Sequence, residues 1–238
     1  MSSASPTLIA IETSTELASV ALWHQGQVIS RESSGAQTHS MNVPGLIQSL
    51  LKEAGLTLAQ CDAIAFGCGP GSFTGVRTAC GLAQGLAFGA QLPVVPVVTL
   101  LAMAERARAA GTESVCHDVL ALLDARMGEV YWSQYRYDAG DQTWQTVTEP
   151  RLSAAASVEP QGKPVICGNG LMAYANDMTH VSDLIQMPDV MPHAADVAKL
   201  ALSAIASGNV LPARDAQPLY LRNKVALTTQ ERLAGPAA

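Results

Sequence analysis

The chain has 238 residues, 48% of them apolar and 14% charged, so it can bury a sizeable core without disulfides or metal. That excludes a disordered tail or a small staple-dependent module, and the length allows one large domain or two small ones. Fourteen Lys and Arg against twenty Asp and Glu leave a net charge of −6, which argues against free-standing nucleic-acid binding but leaves room for a local patch.

The five cysteines, Cys61, Cys68, Cys80, Cys116 and Cys167, are odd in number and show no C-x-x-C spacing, which suits reduced thiols in a cytoplasmic protein. Met1 to Pro6 lacks the charged and apolar regions of a signal peptide. The longest apolar run, Leu92 to Ala104, is too short to span a bilayer and contains Pro93 and Pro96, so no membrane attachment is expected.

In chain order, Thr7 to Ile11 reads as a buried strand that delivers Glu12, Thr13 and Ser14 at its carboxyl end. Ala18 to Trp23 and Gln27 to Glu32 form a hairpin around Gly26. Met41, Leu46, Ile47, Leu50 and Leu51 recur at helical spacing up to Gly55, a C-cap. A strand from Asp62 to Phe66, a Gly/Pro loop, a helix from Phe73 to Gly89, a strand from Pro93 to Val98 and a helix from Leu100 to Ala110 complete a βββαβαβα half.

The second half opens like the first. Val119 to Leu123 ends in Asp124 and leads through Arg126-Met127-Gly128 into an aromatic strand, Glu129 to Tyr137, so an internal repeat is expected. A polar stretch from Asp138 to Pro160, a strand from Pro164 to Cys167, a Gly168-Asn169-Gly170 turn, a helix from Ala194 to Ser207 and a tail segment from Pro218 to Val225 with Arg222 and Lys224 follow. Loop composition peaks at 111–117 and 208–218, where domain boundaries are placed.

The run from Gly67 to Arg77 joins a strand to a helix, a position where backbone amides and the helix dipole can hold an anion; its candidates are Gly69, Gly71, Ser72, Thr74, Gly75 and Arg77. No lysine lies between Lys52 and Lys163, so it is not a Walker loop, and no acid lies between Asp62 and Glu105, so the dinucleotide fingerprint fails as well. A tight structural turn with Ser72 or Thr74 as helix cap is the alternative. Arg77 sits at the positive end of the helix and calls for a compensating polar partner.

Along that helix Gly75, Ala79, Ala83 and Ala87 recur every four residues, as do Gly81, Gly85 and Gly89. One small face suffices for the helix's own sheet; the second suggests another helix crossing closely, within the chain or from a partner. Glu12 and Asp124, each ending the first strand of a half, are the carboxylates that equivalent lobes would bring face to face, either to position a divalent cation or to hold loop amides. His39, His24, His117, His180 and His193 make no metal-binding pair, Val43 standing four positions after His39, and no G-x-S-x-G elbow occurs. No catalytic or metal site is therefore assigned.

Ile9-Ala10-Ile11-Glu12-Thr13-Ser14, the string Gly69-Pro70-Gly71-Ser72-Phe73-Thr74-Gly75-Val76-Arg77, Asp124-Ala125-Arg126-Met127-Gly128-Glu129-Val130-Tyr131 and Pro218-Leu219-Tyr220-Leu221-Arg222 together resemble the TsaB/YeaZ family of bacterial tRNA threonylcarbamoyladenosine biosynthesis proteins. The resemblance implies an α/β fold of the actin-like ATPase superfamily, two tandem ribonuclease-H-like lobes with mixed sheets. The first would be 1–112, with the tail 213–238 returning to it, and the second 113–212. It further implies a non-catalytic subunit that binds a TsaD-type catalytic paralogue and a TsaE-type ATPase and touches tRNA only indirectly. Such a subunit has no cofactor of its own, with ATP or ADP at most at a partner interface, and forms a homodimer when the paralogue is absent.

Because family members pair through first-lobe helices, the expected interface residues are Met41, Leu46, Leu50, Gly75, Ala79, Ala83 and Ala87, and Ala83→Trp is expected to block binding in a folded chain. The rival readings are an ATP-dependent kinase or ATPase of the same superfamily, using Glu12, Asp124 and the glycine loops, and a degenerate metallopeptidase.

Overall fold

The computed structural model describes residues 5–35, 39–111 and 117–222. Cys116, Lys224, Val225 and the 112/113 boundary expected from the sequence lie outside them.

The apolar run that opens the chain becomes strand β1 (Leu8–Glu12), buried throughout because both of its faces are covered. It pairs antiparallel with β2 (Leu17–His24), which turns at Gln25-Gly26 into β3 (Gln27–Ser34), and parallel with β4 (Ala63–Gly69). Strand β5 (Val94–Val98) follows β4, giving the order β3-β2-β1-β4-β5. In the second half, β6 (Asp118–Arg126), β7 (Glu129–Asp138) and β8 (Thr143–Ala154) form an antiparallel meander. Strands β9 (Val165–Cys167) and β10 (Gln186–Met187) run parallel to β6, so the order β8-β7-β6-β9-β10 matches the first sheet strand for strand. The internal repeat expected from the ends of β1 and β6 is this shared topology.

Strand β8 falls inside the stretch that composition alone reads as a polar connection. It is an edge strand with mostly exposed or half-exposed residues, and its ladder to β7 rather than a hydrophobic alternation makes it a strand.

Period-two alternation sends side chains to opposite faces. In the first sheet Ile9, Ile11, Val20, Leu22, Ile64 and Phe66 meet α1 (His39–Glu53) and α2 (Phe73–Ala90). On the other face Leu8, Ala10, Ala21, Ala63 and Ala65 meet Ala194, Val197, Ala198 and Ala201 of α5 (Ala194–Ala206), a close approach that the small residues on both sides permit. In the second sheet Val119, Ala121 and Leu123 meet Leu100, Met103, Ala104 and Ala107 of α3 (Thr99–Ala110), while Leu120, Leu122 and Ile166 meet Leu171 of α4 (Gly170–Ala173) together with Val158, Met178 and Val181.

The two halves thus exchange helices. Helix α3 follows the first sheet but covers the second; α5 follows the second sheet but covers the first. Where they cross, Arg106 pairs with Asp196 at 3.3 Å and Lys199 with Glu105 at 2.5 Å. This crossing joins the two halves between which the site lies.

Candidate functional site

Strand β1 ends in Glu12, whose side chain is fully buried on the face next to the start of α3. Its Oε1 accepts the Ser14 amide at 2.6 Å, and Oε2 lies 3.3 Å from the Thr99 hydroxyl, which also accepts the Gly69 amide. Burial pushes the Glu12 carboxyl above its usual range, with the Ser14 and Thr99 hydrogen bonds pulling the other way. The neighbouring Cys68 thiol is pushed up to about 12, chiefly by burial and then by Glu12 beside it, so it is a core thiol rather than a nucleophile.

The glycine loop is packed from inside by the chain's own backbone. Thr13 donates to the Gly75 carbonyl at 2.7 Å and the Ser72 amide donates to the Ser14 carbonyl at 2.7 Å. A Cβ on Gly75 would stand 1.9 Å from the Thr13 carbonyl oxygen, one on Gly71 would stand 2.6 Å from the Ser14 Cβ, and one on Gly67 would strike the Glu12 carboxylate. Gly69, at φ +107°, has the left-handed conformation and faces the Leu219 carbonyl. These glycines let the β1 exit loop lie directly against the start of α2. Ser72 caps that helix through the Gly75 amide, a long hydrogen bond of 3.5 Å, and Thr74 is exposed on its first turn.

Among the described residues Arg77 is compensated by aromatic rings, not by a carboxylate. Its guanidinium lies 3.6 Å over the Phe73 ring centre, and Nε donates to the Tyr220 hydroxyl at 2.7 Å. Tyr220, which the sequence offered only within the closing Pro218-to-Arg222 string, belongs to a segment that lines the cleft and touches both lobes. The Leu219 amide donates to the Cys68 carbonyl at 2.7 Å on the first lobe. Arg222 reaches the second, donating to the Ala125 carbonyl at 3.1 Å and pairing with Glu129 at 2.5 Å.

Between the lobes lies a cleft of about 780 Å³, lined by Ser14, Gly71 and Ser72 from the first lobe, Asp124, Arg126, Tyr131 and Asn169 from the second, and Leu219 to Arg222. Glu12 ends β1, and Asp124 stands two residues before the end of β6 at an irregularity in its ladder; its Oδ1 accepts the Arg126 amide two residues on at 2.7 Å, the counterpart of Glu12 and Ser14. It also accepts from Tyr174 at 2.7 Å. The two carboxylates do not meet: Asp124 faces the cleft, and Glu12 is sealed beneath the first-lobe wall. Asn169, which accepts the Asp124 amide at 2.9 Å, was announced in the sequence only as part of a Gly-Asn-Gly turn. His39 is buried at the start of α1 against the Glu16 carbonyl, and Val43 lies in the core, so this helix end presents no ligand pair.

The helix faces are redistributed. Gly75, Ala79, Ala83 and Ala87 are buried against the first sheet, as is Leu50 of α1, while Leu46 is half-buried against the same core. The five buried ones are closed to a partner: Ala79, Ala83 and Ala87 pack on the lobe's own core, as does Leu50, and Gly75 on the Thr13–Ser14 backbone, while Leu46 keeps part of its surface. The second small face is the open one: Gly81, Gly85 and Gly89 have nothing within 4 Å of an added Cβ, and Phe88 beside them is 77% exposed. Of the expected interface residues, Met41 on α1 is the one fully on the surface, 79% exposed.

Two sheets of identical strand order, each built on a β-meander with parallel additions and joined by exchanged helices, define tandem ribonuclease-H-like lobes of the actin-like α/β class. Residues 28–235 match the family model described as "TsaD: tRNA N6-adenosine threonylcarbamoyltransferase". The chain is 38% identical over 226 residues to the tRNA threonylcarbamoyladenosine biosynthesis protein TsaB of Escherichia coli, covering 92% of this chain and 96% of that one. It is 37% identical to TsaB of Haemophilus influenzae, covering 96% and 98%. The structure of YeaZ from Pseudomonas aeruginosa superposes with a TM-score of 0.83 at 37% identity, covering 91% of this chain and all of that one. The chain belongs to the TsaB/YeaZ family, within the reach of the TsaD family model.

Proposed function

We propose that this chain acts in tRNA N6-threonylcarbamoyladenosine formation as a non-catalytic cytoplasmic subunit. It binds and activates a TsaD-type catalytic paralogue, together with a TsaE-type ATPase, in the transfer of threonylcarbamoyl from threonylcarbamoyl-AMP to A37. The names of its relatives support the pathway. The observation that carries the subunit role is the use the glycine loop makes of its glycines: Gly71 lies against Ser14 and Gly75 against the Thr13 carbonyl, so seating the β1 exit loop on α2 accounts for both without a phosphate. Among the described residues, no helix is long and apolar enough to cross a membrane.

The docking face is the outer side of α2, with Gly81, Gly85 and Phe88, continued by Met41 on α1; a second copy of the chain takes this face when the paralogue is absent. The open glycines let another helix approach closely, and Phe88 supplies the apolar anchor. The test is co-elution with the paralogue and threonylcarbamoyladenosine formation in the reconstituted mixture. Gly85→Arg, placed in open space, should leave the chain folded and remove both; undiminished co-elution would overturn the docking face.

The inter-lobe cleft, with Ser14, Ser72 and Asp124 on its walls, keeps a second reading open to test, a nucleotide-dependent kinase or ATPase. Titration of the isolated chain with magnesium-ATP separates the two, since saturable tight binding or turnover favours the enzyme. A nucleotide seen to bind only in the presence of the paralogue would fit the subunit reading.

A further inference from the structure

After α5 the chain runs back along the first lobe. Leu211 bridges to Val94 at the edge of β5, Ala213 and Ala216 are buried in the same core as α2, and Leu219 and Tyr220 are held by Cys68 and Arg77. Only Leu221 separates Tyr220 from Arg222, yet Arg222 is bonded to the other lobe. Its Nη2 reaches the Ala125 carbonyl and Glu129, and Nη1 lies 3.4 Å from the Met127 sulfur. From Leu219, held by Cys68, to Arg222 the chain takes three steps, about 10 Å at full extension, so a short segment ties the two lobes along the cleft. It ends on Arg126-Met127-Gly128, all three in the left-handed region, a turn whose shape the Arg222 bond to Ala125 helps to hold.

The lobes are also joined by the crossing of α3 and α5, whose paired residues lie outside the cleft lining. The other tie across the cleft, Arg126 to Glu16 at 3.8 Å, joins two side chains that are 77% and 88% exposed and is correspondingly weak. Arg222 is different. Its side chain is 17% exposed, and its Nη2 holds Glu129 and the Ala125 carbonyl at once, in the fixed fork of a guanidinium rather than on the mobile end of an ammonium.

We infer that residues 217–222 are a latch that sets the opening between the lobes, with Arg222 as its positioning residue and the Arg77–Tyr220 contact as its anchor on α2. The latch thereby ties the width of the cleft to the helix whose outer face meets the partner. That last link rests on the proposed function; the latch itself does not.

Hydrogen–deuterium exchange on the purified full-length chain tests it. Arg222→Ala should raise exchange by about tenfold in both cleft walls, 123–131 and 13–17, with the α3 and α5 peptides unchanged. Arg222→Lys should fall between that variant and the wild type. Faster exchange confined to 123–131 would make Arg222 a local brace of its turn and overturn the latch, as would no change at all. Should Arg222→Ala unfold, Glu129→Gln removes the charge pair while keeping the side-chain volume, and it must show the same two-wall pattern in weaker form for the latch to stand. With the paralogue added, protection of 123–131 in the wild type that is lost in Tyr220→Ala supports the link to α2. Equal protection in both overturns that link while leaving the latch intact.

Discussion

Thr13 and Gly75 hold each other at contact distance: the threonine hydroxyl donates to the glycine carbonyl at 2.7 Å, and the threonine's own carbonyl lies 1.9 Å from where a Cβ on residue 75 would be. The exit of β1 and the first turn of α2 are therefore one packed unit. The same helix carries glycines that touch nothing, which allows a comparison within one element.

Gly75→Ala should destabilise the chain by about 3 kcal/mol, because the added methyl meets backbone that cannot rotate away. Gly81→Ala and Gly85→Ala, in open space at exposed helix positions, should each stabilise by about 0.5–1 kcal/mol. Urea unfolding of the three variants decides it; a gain at Gly75 or a loss at Gly85 would contradict the packing described.

Ala83 is fully buried, so Ala83→Trp should fail to fold instead of yielding a folded chain that cannot bind. Gly85→Trp places the same ring on the outer face and should leave the circular dichroism spectrum and melting temperature close to the wild type while abolishing co-elution with the paralogue.

Asp196 lies in the first turn of α5, with its carboxyl pushed up to about 6 chiefly by burial, the Arg106 pair only partly offsetting this. The folded state binds this proton more tightly than the unfolded chain does, so the contribution is present below about pH 4 and is lost as pH rises through 6. Asp196→Asn should remove that fall and be more stable than the wild type at pH 7, by at most about 3 kcal/mol. His193 runs the other way, since burial lowers its pKa and its neutral form loses ground as pH falls. Because His193 and Asp196 share Arg106, thermal midpoints from pH 4 to 8 are compared for Asp196→Asn in the wild type and in a His193→Gln background, and the fall common to both belongs to Asp196.

Glu12 is raised by burial as well, so its share of stability is likewise lost as pH rises through its folded pKa. Glu12→Gln keeps the volume and the acceptor for the Ser14 amide and should raise the melting temperature at pH 8 more than at pH 5. A Glu12→Gln chain that melts lower at both would show that the carboxylate has an unrecognised cation partner.

Much of the architecture was legible along the chain. Buried runs ending in Glu12 and Asp124 announced the repeat, and alternating apolar positions record which residues leave water. Strand β8 was not legible, because an edge strand with a wet face is held by its ladder to β7 and leaves no hydrophobic alternation behind. Nor was Tyr220, whose meaning depends on Arg77, 143 residues away in sequence.

By itself the sequence determined where close approaches occur and buried runs end, through small residues spaced four apart on α2 and carboxylates following the apolar runs of β1 and β6. Only the tertiary structure decided what fills those approaches: the lobe's own sheet against Ala79, Ala83 and Ala87, the Thr13–Ser14 backbone against the glycine loop, and open solvent beside Gly81 and Gly85. It also sent α3 to the second sheet and α5 to the first. Periodicity records that a face is buried or small, but the identity of the neighbour depends on contacts distant in sequence, and local patterns do not encode those.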